Sequence, residues 1–441
     1  MRCSKVLPFL IVSLILQLTV SCPNPEDEEK GGILPFTANF TNDWLREDAE
    51  GFIVLSDTLG QVLAATTWNG NTRIEFDPTP HPRIIVTTGT RNIGSSRINL
   101  TTNAYVLPGE WTWKGVPDRS ISGYTTLKFI NQPTYEFWGA WFAGIDQERR
   151  VYNLSYDVRF PVVGEQDYLH FYILPKNDDW LYLLVDDFSV DSTTIVDLSA
   201  LKRAQHTDID FHLSTYRCYI DWKGFPTPGE YYQGSIPLPF FGHEGYGDEW
   251  FNSFSLAHAS ELTNYRTEFI HFDGSEYWSG DYWSFYDYGP VPSTTAKINA
   301  DFEIIGSQPD GFHLEITGAV DNVKSYWRGY GDNAYSIWRV FNHPSFSNFA
   351  LPQMPDSIIQ QFELPEISSY SLAYAEIMDY PDLDSHEEVI ETLFQSEDYF
   401  FNIATGGVRS RTKQNRGLSK KPADVVMFRD EKSYDPMLPT P

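Results

Sequence analysis

Along most of the chain, hydrophobic and polar positions alternate with a period of two, the pattern of strands that present one face to a core. Between Pro35 and Pro117 the runs FIVLSD (52–57), QVLAATTW (61–68), TRIEF (72–76), RIIVTTGT (83–90), SRINLTT (96–102) and EWTWKG (110–115) are short and rich in β-branched or aromatic residues. Gly, Pro, Asn and Asp separate them, which predicts a first β-sandwich module over 35–117. A second β module is expected over 118–234, where Tyr152, Leu154, Tyr156, Val158 and Phe160 alternate with Asn153, Ser155, Asp157 and Arg159 and so predict one half-buried strand. A third β region covers 235–365. In it Ile298, Ala300, Phe302 and Ile304 alternate with polar neighbours, GSQPDG (306–311) turns the chain, and Phe312, Leu314 and Ile316 alternate back as a hairpin.

A helical period emerges only in the connection over 366–406. Ser385 and Glu388 form a capping box, and Val389, Ile390, Leu393 and Phe394 make one apolar stripe. LPQMPDS and ELPE read as proline-spaced connections. Beyond Gly406, Arg409, Arg411, Lys413, Arg416, Lys420 and Lys421 stand unopposed by any acid up to Lys421, so 407–441 is expected to be a disordered basic tail. The expected fold class is all-β: tandem β-sandwich modules with one short C-terminal amphipathic helix. An echo of Trp113–Pro117 (WKGVP) in Trp222–Pro226 (WKGFP) is consistent with tandem modules.

The N-terminus breaks the alternation. Arg2 and Lys5 precede an apolar run from Val6 to Val20, interrupted by Pro8, Ser13, Gln17 and Thr19. It is too short for the roughly 20 apolar residues of a membrane span and reads as a secretory signal. Leu18-Thr19-Val20-Ser21-Cys22 resembles the lipobox of bacterial lipoproteins, with Thr19 where leucine is usual. The resemblance implies removal of 1–21 and acylation of Cys22; an ordinary secretory signal with an incidental cysteine stays open as the alternative. Several acyl chains, at about 0.8 kcal/mol per buried methylene, would hold a folded domain at a membrane. Residues 22–34 form a flexible acidic tether with four consecutive acids, Glu26 to Glu29. This resembles the surface-export signal of lipoproteins in Bacteroidota-type bacteria and implies the outer membrane, including its outer face. SDTLGQVL and LPGEWTWKG resemble the prealbumin-like modules of surface proteins, with no functional residue to transfer.

Charge narrows the partners. The 441 residues carry 32 basic and 60 acidic side chains, a net charge of −28. Such a chain repels nucleic acid and anionic membrane surfaces, so neither is expected as a partner beyond the lipid anchor itself. Of Cys3, Cys22 and Cys218, only Cys218 would remain as a thiol, which leaves stability to burial rather than disulfides. Cys218 reads as a small strand residue; catalysis there would need a histidine close in space.

Signatures of several enzyme classes are missing: the chain has no GxSxG, P-loop, HExxH or CxxC. Gly329–Ala334 imitates a dinucleotide fingerprint, but without a βαβ unit it reads as a turn. Asp379, Asp382, Asp384 and Glu387 are candidate metal ligands, and calcium is the ion that hard oxygens at this spacing suit. Acids at a helix start also follow from the helix dipole alone. His243, Glu244, Asp248 and Glu249 share a glycine-rich loop and are a second metal candidate, and Asp186, Asp187 and Asp191 a weaker one. No organic cofactor is implied.

The candidate ligand-binding residues are Tyr277, Trp278, Tyr282, Trp283, Tyr286 and Tyr288, in an aromatic stretch over 275–289. On a strand, Tyr282, Tyr286 and Tyr288 share one face, and Trp283 and Phe285 the other. An exposed face beside Asp281 and Asp287 would stack on sugar rings; a covered one would be core. The expected function is a non-catalytic, lipid-anchored envelope module that binds a glycan or protein partner. Two alternatives stay open. One is a polysaccharide hydrolase or lyase, with carboxylates such as Glu276 and Asp281, or Glu244 and Asp248, set about 5 or 7–9 Å apart. The other is a structural component of an envelope complex.

Overall fold

The structure is a computed structural model that describes residues 35–41, 45, 48–114, 121–144, 147–163, 168–176, 179–186, 189–215, 218–225, 236–237, 251–259, 261–262, 264–272, 281–332, 334–346, 348–383, 385–395 and 408–415. The predicted signal, Cys22 and the tether lie outside these residues.

The protein is mostly β, built from several sheets. The largest has twelve strands, in the spatial order β18 (Ile236–Pro237), β17 (Cys218–Phe225), β20 (Asn264–Phe272), β21 (Tyr282–Gly289), β28 (Val408–Gln414), β27 (Tyr370–Asp379), β24 (Asn322–Tyr330), β25 (Tyr335–Asn342), β6 (Arg97–Val106), β5 (Ile84–Asn92), β2 (Ala49–Ser56) and β3 (Val62–Trp68). All neighbours are antiparallel except β25 and β6, which run parallel with Tyr335 opposite Arg97 and Phe341 opposite Asn103. A sheet of β4 (Thr72–Phe76), β1 (Phe36–Thr41) and β7 (Glu110–Lys114) packs on one side. On the other side pack β22 (Asp301–Gln308), β23 (Gly311–Thr317) and β26 (Asn348–Ala350), together with helix α1 (Asp356–Phe362).

This double cover explains the continuous apolar run of β2. Phe52 and Val54 enter the core shared with Phe302, Phe312 and α1, while Ile53 and Leu55 enter the opposite core with Phe36, Phe40 and Trp113. Gly89 on β5 makes room for Phe52, because a Cβ there would come within 2.2 Å of the Phe52 ring.

Two further sheets face each other across an apolar layer. One contains β10 (Gln147–Val151), β9 (Phe137–Gly144), β12 (Tyr168–Pro175), β13 (Leu181–Asp186) and β15 (Lys202–Arg203); the other contains β11 (Val158–Val163), β8 (Ile121–Ile130) and β14 (Thr193–Asp197). Phe142, Phe160 and Phe171 fill the layer between them. The outer side of the five-stranded sheet, through Trp141, Tyr172 and Tyr182, shares a core with Trp222 and Phe269 of the large sheet and with the pair β16 (Gln205–Thr215) and β19 (Phe251–His258).

Several elements lie differently from what local pattern suggests. Strands of the large sheet come from all three predicted regions and from the predicted tail, so hydrogen bonding does not stop at residues 117, 234 or 365. The strand expected over Tyr152–Phe160 starts only at Val158; an Asn153 side chain caps Ser155 N–H at 2.8 Å, and the turn leaves Tyr152 and Tyr156 exposed. The stretch DSIIQQF between the proline-spaced connections is helical as α1, with Ile358 and Phe362 buried. Trp113 and Trp222 are both buried, but on strands with different partners: β7 lies parallel beside β1, whereas β17 is antiparallel to β18 and β20. By contrast the predicted hairpin forms as β22 and β23 with Phe302, Phe312 and Leu314 buried, and Gly331 N–H bonds Ala334 O at 2.8 Å in the turn from β24 to β25.

The largest departure is β28, where the basic tail enters the middle of the sheet between β21 and β27. Its cations alternate with hydroxyls. Arg409 lies 3.8 Å from Asp379, Lys413 2.8 Å from Asp301, and Arg411 3.8 Å from Asp301. On the other face Ser410 Oγ donates to Glu376 Oε1 at 2.6 Å, and Lys324 Nζ meets Glu376 Oε2 at 3.1 Å. The remainder of the tail beyond 415 lies outside the described residues. Truncation after Gly407 is expected to remove cooperative unfolding in urea. Ser410→Ala, which takes a hydroxyl from a buried carboxylate, is expected to cost about 1–3 kcal/mol in the same measurement.

Candidate functional site

A cavity of about 470 Å³ lies between the β6–β7 connection and the second helix, α2 (His386–Gln395). Tyr105–Thr112 form one wall, and Glu387, Ile390 and Glu391 the other. Its size falls within the roughly 300–1,000 Å³ common for small-ligand sites. The predicted cap forms: Ser385 Oγ accepts the Glu388 N–H at 3.2 Å. Val389 and Ile390 anchor the helix in the core around Phe36 and Trp113. Helical spacing then puts Glu387 and Glu391, four residues apart, on the face that lines the cavity.

The opposite wall is set by a break in the β5–β6 ladder. Ile84 pairs with Val106 and Val86 with Asn103, so Ala104 and Tyr105 together oppose Ile85. Tyr105 takes φ +69°, a conformation that costs a non-glycine residue roughly 1 kcal/mol or more. A bulge of this kind re-aims a side chain. The Tyr105 ring is held by Phe346, His343 and Arg83, at 5.1, 5.4 and 5.4 Å. Arg83 also meets Glu387 Oε1 at 2.8 Å and donates to Tyr105 O at 3.4 Å, tying the bulge to the helix. Across the connection, Trp111 Nε1 donates to Leu107 O at 2.9 Å, and Thr37 N–H donates to Gly109 O at 2.8 Å.

Glu110 accepts from Arg73 Nη1 at 2.7 Å and from Asn39 Nδ2 at 2.8 Å. The Arg73 hydrogen bond, then that of Asn39, hold its carboxyl below the ordinary carboxylate range. Glu110 and Glu387 are thus each met by an arginine. The lining offers two aromatic residues, apolar Val106, Leu107 and Ile390, and three carboxylates, two of them paired with arginines that stand outside the lining. That chemistry suits an uncharged ligand with both apolar faces and hydroxyl groups.

Behind this wall lies a buried histidine. His386, at the start of α2, has its Nδ1 3.2 Å from Asn322 Nδ2 and its Nε2 3.0 Å from Ala104 O. With the Asn322 amide in this orientation its nitrogen donates to Nδ1, Nε2 carries the proton to Ala104 O, and the ring is neutral. Burial pulls its pKa down to about 4. The His343 ring stands 5.1 Å away, its pKa lowered by burial, with Glu387 opposing and Arg83 reinforcing the shift.

The sequence-predicted sites are placed differently. Tyr277, Trp278 and Glu276 lie outside the described residues, as do His243, Glu244, Asp248, Glu249, Asp384 and Asp187. Tyr282, Trp283, Tyr286 and Tyr288 lie on β21, an inner strand of the large sheet. Tyr288 is buried. Tyr282 and Tyr286 are half-buried, and burial followed by nearby glutamates, Glu376 and Glu268, pushes their phenols up. Lys297 Nζ and Arg411 Cζ sit over the Trp283 ring, 3.8 and 4.2 Å from its centroid.

Of the expected calcium ligands, two are paired with arginines. Asp379 faces Arg409, and Glu387 faces Arg83. Among the described residues no group of three or more His, Cys, Asp or Glu side chains is placed to hold a metal ion. Asp191 sits in a turn at φ +57°, its N–H on Tyr124 O at 2.7 Å. Cys218 occupies a strand position on β17 opposite His271 of β20. Of the predicted site residues that the structure describes, only Glu387 lines the cavity. Glu391 was legible from the same helical spacing; Tyr105, Glu110 and Trp111 carried no signal without the fold.

The pH dependence follows from His386. An unfolded histidine titrates near 6.5, so as pH falls from there toward 4 the unfolded state binds a proton that the folded state refuses. His386 therefore contributes stability that is full above pH 6.5 and lost by about 3 kcal/mol on the way down through pH 4. Buried His170 and His271, also lowered by burial to about 4, add to the same trend. Urea titrations at pH 7 and pH 4.5 are expected to show a smaller pH difference for His386→Gln than for the native chain.

No protein-family model and no curated protein matches the chain. Among solved structures, the pilus adhesin SpaC from Lactobacillus rhamnosus GG shows a weak likeness. In its open conformation it is 8% identical with a TM-score of 0.11, covering 71% of this chain and 44% of the adhesin. A second form gives 8% identity and a TM-score of 0.13, covering 70% of this chain and 44% of the adhesin. The chain thus spans under half the length of the adhesin.

Proposed function

We propose that the protein is a lipid-anchored envelope module, held at the outer membrane through Cys22, that binds a glycan without cleaving it. The observation that carries this reading is the cavity in which the bulged Tyr105 and Trp111 stand beside arginine-paired Glu110 and Glu387. Aromatic rings give sugar rings a flat apolar surface, and carboxylates held by arginines accept from hydroxyls at its edge. The Leu18–Cys22 pattern supports the anchor.

The rival reading is a carboxylate-dependent hydrolase or lyase. It requires a carboxyl with raised pKa facing the same cavity. Glu110 is shifted the other way by Arg73. Asp287 is raised to about 6, by burial first, with Asp382 adding to it and Tyr288 N–H and Arg409 opposing it. However, Asp287 does not line the cavity, so the two features do not make one catalytic constellation.

The test is a polysaccharide array probed with the soluble chain starting after Cys22, read by tryptophan fluorescence and followed by product analysis. Binding without product is expected, weakened ten-fold or more by Trp111→Ala and by Tyr105→Ala, and unchanged by Trp283→Phe. Released oligosaccharide would overturn the non-catalytic reading.

A further inference from the structure

On one face of the large sheet, β24, β25 and β6 bring three rows of side chains into line. Tyr330, Tyr335 and Arg97 form the first row, Arg328, Ile337 and Asn99 the second, and Tyr326, Arg339 and Thr101 the third. Trp327, Trp338, Ile98 and Leu100, which alternate with these residues, point into the core shared with α1, so the three rows point away from it. Strands stand about 4.8 Å apart and alternate residues along a strand about 6.8 Å apart, which gives the array a surface of roughly 10 by 14 Å.

Its chemistry departs from that of the chain as a whole. The nine positions hold three arginines and no acid, in a sequence with 60 acids and 32 bases. On the next strand, Glu376 is already met by Lys324 and Ser410, and Asp332 stands in the turn beyond Tyr330. The guanidinium groups are held in place. Arg328 and Arg339 Cζ lie 5.7 and 6.0 Å from the centroid of the Tyr326 ring, and Arg97 Nε donates to Asn99 Oδ1 at 3.1 Å. Tyr326 stacks on Tyr374 at 4.8 Å, and both are buried, so they form a floor beneath the half-buried arginines. Tyr330 and Tyr335 are instead 62% and 37% exposed.

We infer that this face is a second binding site, apart from the cavity, for a sugar chain that bears carboxylates. Guanidinium forks match a carboxylate with two parallel hydrogen bonds, and exposed tyrosine rings give a sugar ring an apolar surface beside them. The alternatives fit less well. An acidic peptide would meet the arginines but offers the tyrosines no sugar ring to stack on. Duplex nucleic acid carries one negative charge per roughly 1.7 Å, a density that a chain of net charge −28 repels. A polyuronate spreads its charge over whole sugars, and repulsion from distant acids is screened within about 10 Å at 0.1 M salt, whereas contact with the forks is not.

Titration calorimetry of the soluble chain tests this, with polygalacturonate as the probe and the same polymer after reduction of its carboxyl groups as the neutral control. Polygalacturonate is expected to bind, and the reduced polymer to bind about ten-fold more weakly or worse. Tyr330→Ala, at an exposed position, is expected to leave circular dichroism unchanged and to weaken binding about three-fold. Arg97→Gln combined with Arg328→Gln is expected to weaken it about ten-fold or more. Trp111→Ala in the cavity is expected to have no effect. The proposal is overturned if polygalacturonate does not bind, or if the reduced polymer, poly-glutamate or single-stranded DNA binds as well. Native affinity in Tyr330→Ala and in the double arginine variant overturns it too. The site does not depend on the cavity, so failure of Trp111→Ala to weaken any glycan on the array sinks the cavity reading and leaves this one standing.

Discussion

The large sheet depends on a strand of positive charge buried at its centre. β28 joins β21 to β27, and without it the sheet would divide into two unequal parts. Burying Arg411 and half-burying Arg409 and Lys413 is costly unless each cation meets an acid. Asp379 and Asp301 supply them, and Arg411 gains the Trp283 ring as well. Burial raises the Asp301 carboxyl, but the Lys413 hydrogen bond, the Phe302 N–H and the charges of Lys413 and Arg411 outweigh it and leave its pKa lowered. On the other face Glu376 answers both Ser410 and Lys324, so one carboxylate ties three adjacent strands together.

The same sheet positions the cavity. β5 and β6 are fixed between β25 and β2, so an extra residue in β6 cannot slip away and must be absorbed as the Tyr105 bulge. Helix α2 precedes β28 in the chain and packs over the same core, and Arg83 locks its Glu387 to the bulged backbone. Distortion of the strand is therefore held by packing on one side and an ion pair on the other. Such strain persists only where the surroundings over-determine it, and it is concentrated at the wall that would meet a ligand.

Local pattern was informative wherever one face of a strand is wet and the other buried. The hairpin of β22 and β23 was legible for that reason; β2 and β5, covered on both faces, were legible as β-branched apolar runs between turn residues, and the helix at Ser385 by its cap. Tyr152 and Tyr156 misled because alternation does not distinguish a strand from an Asx-capped turn with exposed rings. The β21 aromatics misled in the other direction. Their alternation puts Trp283 and Tyr286 on opposite faces, but a sequence holds no sign that Lys297 and Arg411 sit over the Trp283 ring or that Tyr286 packs against the core of Phe36 and Trp113.

By itself the sequence determined that the chain is mostly β, where many strands begin and end, and where the helix capped by Ser385 starts, because these follow from period, turn residues and caps within a few residues of each other. Its net charge likewise follows from composition alone. Only the tertiary structure decided that Arg409, Arg411 and Lys413 form a central strand rather than a solvated tail. Their acids lie about 30 to more than 100 residues away in the chain, and an ion pair that makes burial tolerable leaves no trace in local periodicity. The cavity was decided in the same way, since Tyr105, Glu110 and Trp111 meet Glu387 only after β6, β7 and α2 have packed on one core.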